Sequence, residues 1–189
     1  MPGDYQAGTY FATASVVDAA GNTASCTFNF TIITDTTPPT VTCPVSQSVN
    51  TNVNLATAVV SWPSPNPMDA FGIQSAGYTP SQYTPPAVFS VGSTTVVFTA
   101  IDPYNNVQTC TFVITVLDKQ PPTIVCPASF TVGIPFGQTE VNVTWGTPVA
   151  RDNNQVDQIT QSCVQGSSFA VGVYACVAYA TGLQIDIIP

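Results

Sequence analysis

Apolar and polar residues alternate along this chain in short stretches, and no stretch keeps a helical period. From Cys110 onward, Cys110, Phe112, Ile114 and Val116 fall on one parity and Thr111, Val113 and Thr115 on the other. A period of two sends successive side chains to opposite faces of a strand, so this stretch predicts a strand with one face turned inward. The same logic turns Cys26, Phe28, Phe30 and Ile32 inward near the start of the chain, and Val96, Phe98 and Ala100 in the strand before Cys110. Val141, Val143 and Trp145 share a face opposite Glu140, Asn142 and Thr144, with Val60 and Trp62 as their counterpart. Prolines and glycines, 17 and 12 of them, interrupt these runs at short intervals and exclude long helices. Asp18-Ala-Ala-Gly-Asn22 and Asp102-Pro-Tyr-Asn-Asn106 each separate two runs. Asp, Asn and Gly tolerate left-handed backbone and form Asx turns, so each segment predicts a hairpin.

The pattern also repeats about every 83 residues. Asp35-Thr-Thr-Pro-Pro-Thr-Val-Thr-Cys43-Pro44 returns as Asp118-Lys-Gln-Pro-Pro-Thr-Ile-Val-Cys126-Pro127, and Cys26-Thr-Phe returns as Cys110-Thr-Phe. Such self-similarity marks a tandem array. About seven short strands per unit, a central tryptophan and an inward cysteine near each end predict an all-β chain of tandem immunoglobulin-like antiparallel β-sandwiches. Residues 36–118 form one complete copy, 1–35 the C-terminal part of a copy and 119–189 the N-terminal part of another. Two readings of the partial copies stand open. The chain is a window on a longer array, or its partial copies complete each other head to tail between subunits.

Domains of this size sit near the lower end of comfortable single cores and benefit from staples. The chain has six cysteines, no histidine and no Cys-x-x-Cys, which disfavours zinc and favours disulfides in an oxidising compartment, placing the protein outside the cell or at its surface. Cys43 and Cys110, near the first and last strands of the complete copy, are expected to pair. Cys163 and Cys176 occur only in the third copy and pair locally. Cys26 and Cys126 remain, each with a mate in a missing part of its own domain or with each other across two subunits. Lys119 and Arg151 are the only basic residues and the net charge is −8, which excludes nucleic acid as a partner. With 6% charged residues, solubility must rest on Thr, Ser, Asn and Gln and on attached sugars. The most apolar run, Phe169 to Ala180, is shorter than the roughly 20 residues a bilayer span needs.

Taken in order, Asp-x-x-Pro-Pro-x-Val/Ile-x-Cys-Pro (35–44 and 118–127), Val-x-Trp-x-x-Pro (143–148), Phe-x-Val-Gly (89–92 and 169–172), Asp-Ala-Ala-Gly-Asn (18–22) and Cys-Thr-Phe (26–28 and 110–112) resemble the hyalin repeat, or HYR domain. The resemblance covers nearly the whole chain. It implies immunoglobulin-like sandwiches in tandem in extracellular proteins, with adhesive and matrix roles and no catalysis. The chain departs from the pattern after Ala180-Thr-Gly182, where Leu183-Gln-Ile-Asp-Ile-Ile-Pro189 replaces the expected turn and Cys-Thr-Phe.

Candidate chemistry is sparse. The sequons Asn29-Phe-Thr31 and Asn142-Val-Thr144 place both asparagines on the outward parity, where N-linked glycans would meet no core. Asp18 with Asn22, Asp102 with Asn105 and Asn106, and Asp152 with Asn153 and Asn154 are weak calcium candidates and, first of all, turn formers. Without histidine, a Gly-x-Ser-x-Gly setting or a paired carboxylate, no enzyme and no cofactor are expected. The proline pairs 38–39 and 121–122 make the joints between copies short and stiff. The expectation is a glycosylated rod or filament that contacts itself or neighbouring repeats. The alternative is a receptor or lectin-like ectodomain binding through the loop region 66–87, with a cleft lined by Tyr78 and Tyr83.

Overall fold

The computed structural model describes residues 5–183 and is built of strands, with one short 3-10 turn at Ser81–Tyr83. Its residues group into two compact units. The first draws on the chain through Thr42, on Asn66–Gly77 and on Thr99–Thr109; the second on Cys43–Pro65, Tyr78–Phe98 and the chain from Cys110.

In the first unit, β1 (Gly8–Val17) and β2 (Thr23–Ile32) form an antiparallel hairpin around Asp18–Asn22. The register splits it into two faces. Thr9 opposes Thr31 and Thr13 opposes Thr27, each pair joined by a hydroxyl hydrogen bond of 3.0 Å, and Asn29 lies opposite Phe11 on that face. The other face carries Tyr10 opposite Phe30, Ala12 opposite Phe28 and Ala14 opposite Cys26. Tyr10 stacks on Phe30, and Tyr5 meets both rings edge-on. The parity is the expected one, but the burial is not: Cys26, Phe28 and Phe30 are exposed, Phe28 by 58%. A two-stranded ribbon has two open faces, and among the described residues no second sheet covers this one.

Residues 36–118 contain β3 (Gln47–Asn50), β4 (Thr57–Val60), β5 (Ser75–Thr79), β6 (Ala87–Ser90), β7 (Gly92–Ile101) and β8 (Val107–Leu117). One sheet runs in the order β3-β8-β7-β5, and β4 pairs antiparallel with β6. The β3–β8 pair is parallel, Gln47 opposite Ile114 through Asn50 opposite Leu117. A parallel neighbour needs a long crossover, and the whole chain between these strands supplies it. Alternation then fills the core: Val96, Phe112, Ile114 and Val116 from one sheet meet Ala58, Val60, Ala87 and Phe89 from the other, with Trp62 among them. Trp62 packs edge-on against Phe112 and Tyr78, and its indole N–H donates to the Tyr78 hydroxyl at 3.1 Å. Cys43 and Cys110 are joined, Cα to Cα 5.3 Å. This is an immunoglobulin-like sandwich.

Region 66–87 is more ordered than a loop reading allows, since it contains β5 and the 3-10 turn. Tyr78 and Tyr83 pack on the core, Tyr78 edge-on to Phe98 and Tyr83 stacked on Phe89 at 4.8 Å.

The third stretch pairs its strands two by two: β9 (Thr123–Val125) with β11 (Val149–Arg151), β10 (Glu140–Asn142) with β13 (Ser168–Ala170), and β12 (Val156–Gln161) with β14 (Ala178–Gly182). Cys163 and Cys176 are bridged, Cα to Cα 5.4 Å. Val141, Val143, Trp145 and Phe169 share an inward side but stay half-buried, and Cys126 is exposed rather than enclosed. The joint after Leu117 is tied by side chains. The Gln120 amide donates to the Thr51 hydroxyl (2.8 Å) and the Asn52 carbonyl (3.0 Å) and accepts from the Asn54 N–H (2.8 Å). Asn153 donates to the Leu55 carbonyl and to Asp118, at 2.9 and 3.0 Å.

Candidate functional site

The hairpin turns at Asp18 and Asp102 have one design. In each, the aspartate exchanges backbone hydrogen bonds with the residues three and four positions on. Its Oδ1 accepts two N–H groups, from Ala20 and Asn22 in one turn and from Tyr104 and Asn106 in the other. Its Oδ2 accepts the amide of Asn22 or Asn106, at 2.8 and 2.7 Å. Gly21 and Asn105 take the left-handed position, with φ of 85° and 66°. The Asn22 side chain and then its N–H hold the Asp18 carboxyl below its ordinary 3.8. For Asp102, loss of solvent works to raise the value, but the bonds from the Asn106 side chain and N–H and from the Tyr104 N–H outweigh it and the carboxyl is lowered.

The two turns differ in their surroundings. Asp18 is exposed, whereas Asp102 is wholly removed from solvent. Around it the first unit gathers three segments. Thr40 and Met68 exchange backbone hydrogen bonds of 2.8 and 3.0 Å, the Gln74 N–H donates to the Ile101 carbonyl, and Asn106 reaches the Asp35 carbonyl at 3.3 Å. Each segment brings one aspartate, and carboxylate oxygens of Asp35, Asp69 and Asp102 lie within 4.8 Å of one another. None of the three segments contains a lysine or arginine.

Asp102 is legible in the sequence as a turn former, whereas Asp35 and Asp69 look like ordinary joint and loop residues. A signal existed, because the repeat carries both forward, Asp35 to Asp118 and Asp69 to Asp152. The Asp152 cluster takes another shape: Asp152 Oδ1 accepts the Asn154 N–H, while Asn153 turns to Asp118 and Leu55. Asp18 has only its own turn for company.

The remaining candidates are dispersed. Asn29 on β2 and Asn142 on β10 are both exposed. Cys126 lines an open, mostly apolar cavity of about 830 Å³ with Val141, Val143, Trp145, Phe169 and Cys176. By sequence position, Cys126, Val143, Trp145 and Phe169 are the counterparts of Cys43, Val60, Trp62 and Phe89, so the cavity is lined by the counterparts of core-side residues of the sandwich. Among the described residues, no helix is long and apolar enough to cross a membrane.

Comparison with known proteins fits these features. Over 96% of its length the chain is 33% identical to 35% of Hyalin from Lytechinus variegatus, and over 87% to 14% of Hyalin from Strongylocentrotus purpuratus, again at 33%. It is 31% identical, over 73% of its length, to 4% of the mouse (Mus musculus) sushi, von Willebrand factor type A, EGF and pentraxin domain-containing protein 1. The chain thus spans about a third or less of these relatives. Extracellular cadherin domains 1-4 of protocadherin gamma B7 superpose loosely, with a TM-score of 0.38 at 16% identity over 94% of this chain and 50% of that one. The HYR domain profile matches twice, at residues 34–116 and 117–182. With two matched copies, repeated Pro-Pro joints and a sandwich core around Trp62, the chain belongs to the HYR domain family.

Proposed function

We propose that this chain is a stretch of an extracellular, glycosylated array of HYR domains, a stiff rod or filament with an adhesive or mechanical role. Its copies run over residues 1–35, 36–118 and 119–189. The observation that carries this reading is the joint after Leu117, where Gln120 and Asn153 bond to the 51–55 loop of the preceding copy and leave the Pro121-Pro122 link little freedom. Two intramolecular disulfides fit an oxidising compartment. Cys26 and Cys126 occupy the positions of Cys110 and Cys43, and each pairs within its own domain or the two pair with each other across two subunits. N-linked sugar sits on Asn29 and Asn142. Relatives named Hyalin support the extracellular assignment. Tyr78 and Tyr83 pack against the core, which weighs against a cleft lined by them.

The test joins intact mass with negative-stain imaging of protein secreted from eukaryotic cells. Sugar mass lost in Asn29→Gln and Asn142→Gln, with elongated particles or filaments, is the expected result. An unglycosylated, globular monomer with a saturable small ligand overturns the reading.

A further inference from the structure

We propose that Asp35, Asp69 and Asp102 form a calcium site. The three carboxylates come from three separate segments and place oxygens within 4.8 Å of one another. Their other partners are accounted for. Asp102 accepts Tyr104 and Asn106, and Asp69 Oδ1 accepts the Phe71 N–H at 2.8 Å. Asp35 Oδ1 accepts the Thr37 N–H at 2.9 Å, yet its Oδ2 is buried with no donor, in a residue only 8% exposed. A buried carboxylate oxygen beside two other carboxylates calls for a positive counterpart, because no donor among the described residues offsets its desolvation. No basic side chain belongs to these segments.

The donors are oxygen only, without sulfur or imidazole, which selects a hard cation. Two oxygens on one calcium lie at most about 4.6–5.2 Å apart, twice a Ca–O bond, and the spread of the three fits that limit. Backbone carbonyls and water complete the shell. Part of the arrangement recurs along the chain. The repeat places Asp118 and Asp152 at the positions of Asp35 and Asp69, and Asp152 Oδ2 is again buried without a partner.

Bound there, calcium ties the segment leaving β2 to the Asp69 and Asp102 loops and stiffens the start of the complete copy. Only this consequence rests on the array reading; the site itself does not. The test is calorimetric titration of the intact chain with CaCl2 and, separately, MgCl2, with melting curves in calcium and in EDTA. Expected is one saturable calcium with a dissociation constant of about 10⁻⁴–10⁻³ M, as in extracellular modules, and a calcium-dependent rise in Tm. Asp69→Asn keeps an oxygen for Phe71 and weakens this binding about tenfold or more, through loss of one ligand charge. Asp35→Asn does the same, and Glu140→Gln on β10 leaves it intact. Should Asp35→Asn fail to fold, Asp69→Asn still decides. No saturable binding and no shift in Tm, unchanged binding in Asp69→Asn, or equal loss in Glu140→Gln overturns the site; magnesium of equal affinity overturns the choice of ion. Failure of the array reading looks different: a non-associating particle that still binds calcium.

Discussion

The hairpin β1–β2 and the strands β7–β8 carry nearly the same message and meet different fates. Both place Cys, Phe and aliphatic residues on one parity, and both turn through an aspartate that holds its own loop. In β8 the apolar parity is buried, with Phe112 at 2% and Ile114 at 0% exposure. In β2 the equivalent Phe28 stands 58% exposed. The difference is the second layer: Trp62, Val60 and Phe89 lie over one ribbon, and no described element lies over the other. Alternation assigns a face, and only an opposing sheet makes that face a core.

The comparison breaks most sharply at the matched phenylalanines. Phe112→Ala should cost about 3–5 kcal/mol in urea unfolding of the intact chain, because it removes a buried ring and leaves a cavity. Phe28→Ala should stay within about 0.5 kcal/mol, as exposed substitutions do. Equal costs would mean that β2 is covered in solution.

The disulfides come next. Replacing Cys43 and Cys110 with alanine opens a loop of 67 residues and should lower stability by roughly 4 kcal/mol. The 13-residue loop of Cys163 and Cys176 predicts roughly 3 kcal/mol, read on the melting of the third stretch. A smaller effect sharpens the tie between core and 66–87. Tyr78→Phe removes the acceptor of the Trp62 N–H and should cost about 1 kcal/mol, with a shift in the indole N–H resonance.

The smallest effect belongs to the exposed turn. The Asp18 carboxyl is lowered in the folded hairpin, so its contribution is fully present above 3.8 and is lost as pH falls through the lowered folded value. A carboxyl titration by NMR should find its midpoint below 3.8. Asp18→Asn should abolish that pH dependence in the amide shifts of Ala20 and Asn22.

Much of this was legible before any coordinates. Period-two alternation depends only on the pleat of a strand, so the faces of β2, β8 and β10 could be read residue by residue. Turn chemistry is equally local, which is why the positive φ at Gly21 and Asn105 follows from Asp-x-x-Gly/Asn-Asn. The order inside 66–87 was not legible, since its prolines and tyrosines read as loop, and what draws Tyr78 and Tyr83 inward is a surface that Trp62 and Phe89 form only once the sheets are packed.

The candidate site shows the same boundary. Asp102 announced itself through its turn, while Asp35 and Asp69 look like ordinary joint and loop residues until three segments meet. Sequence alone determined the strands, their faces, the turns and the repeat, because these depend on neighbours a few residues away or on copies of the same phrase. Tertiary structure alone decided which faces are buried and which carboxylates converge, because burial and charge proximity are properties of chain segments brought together across long loops.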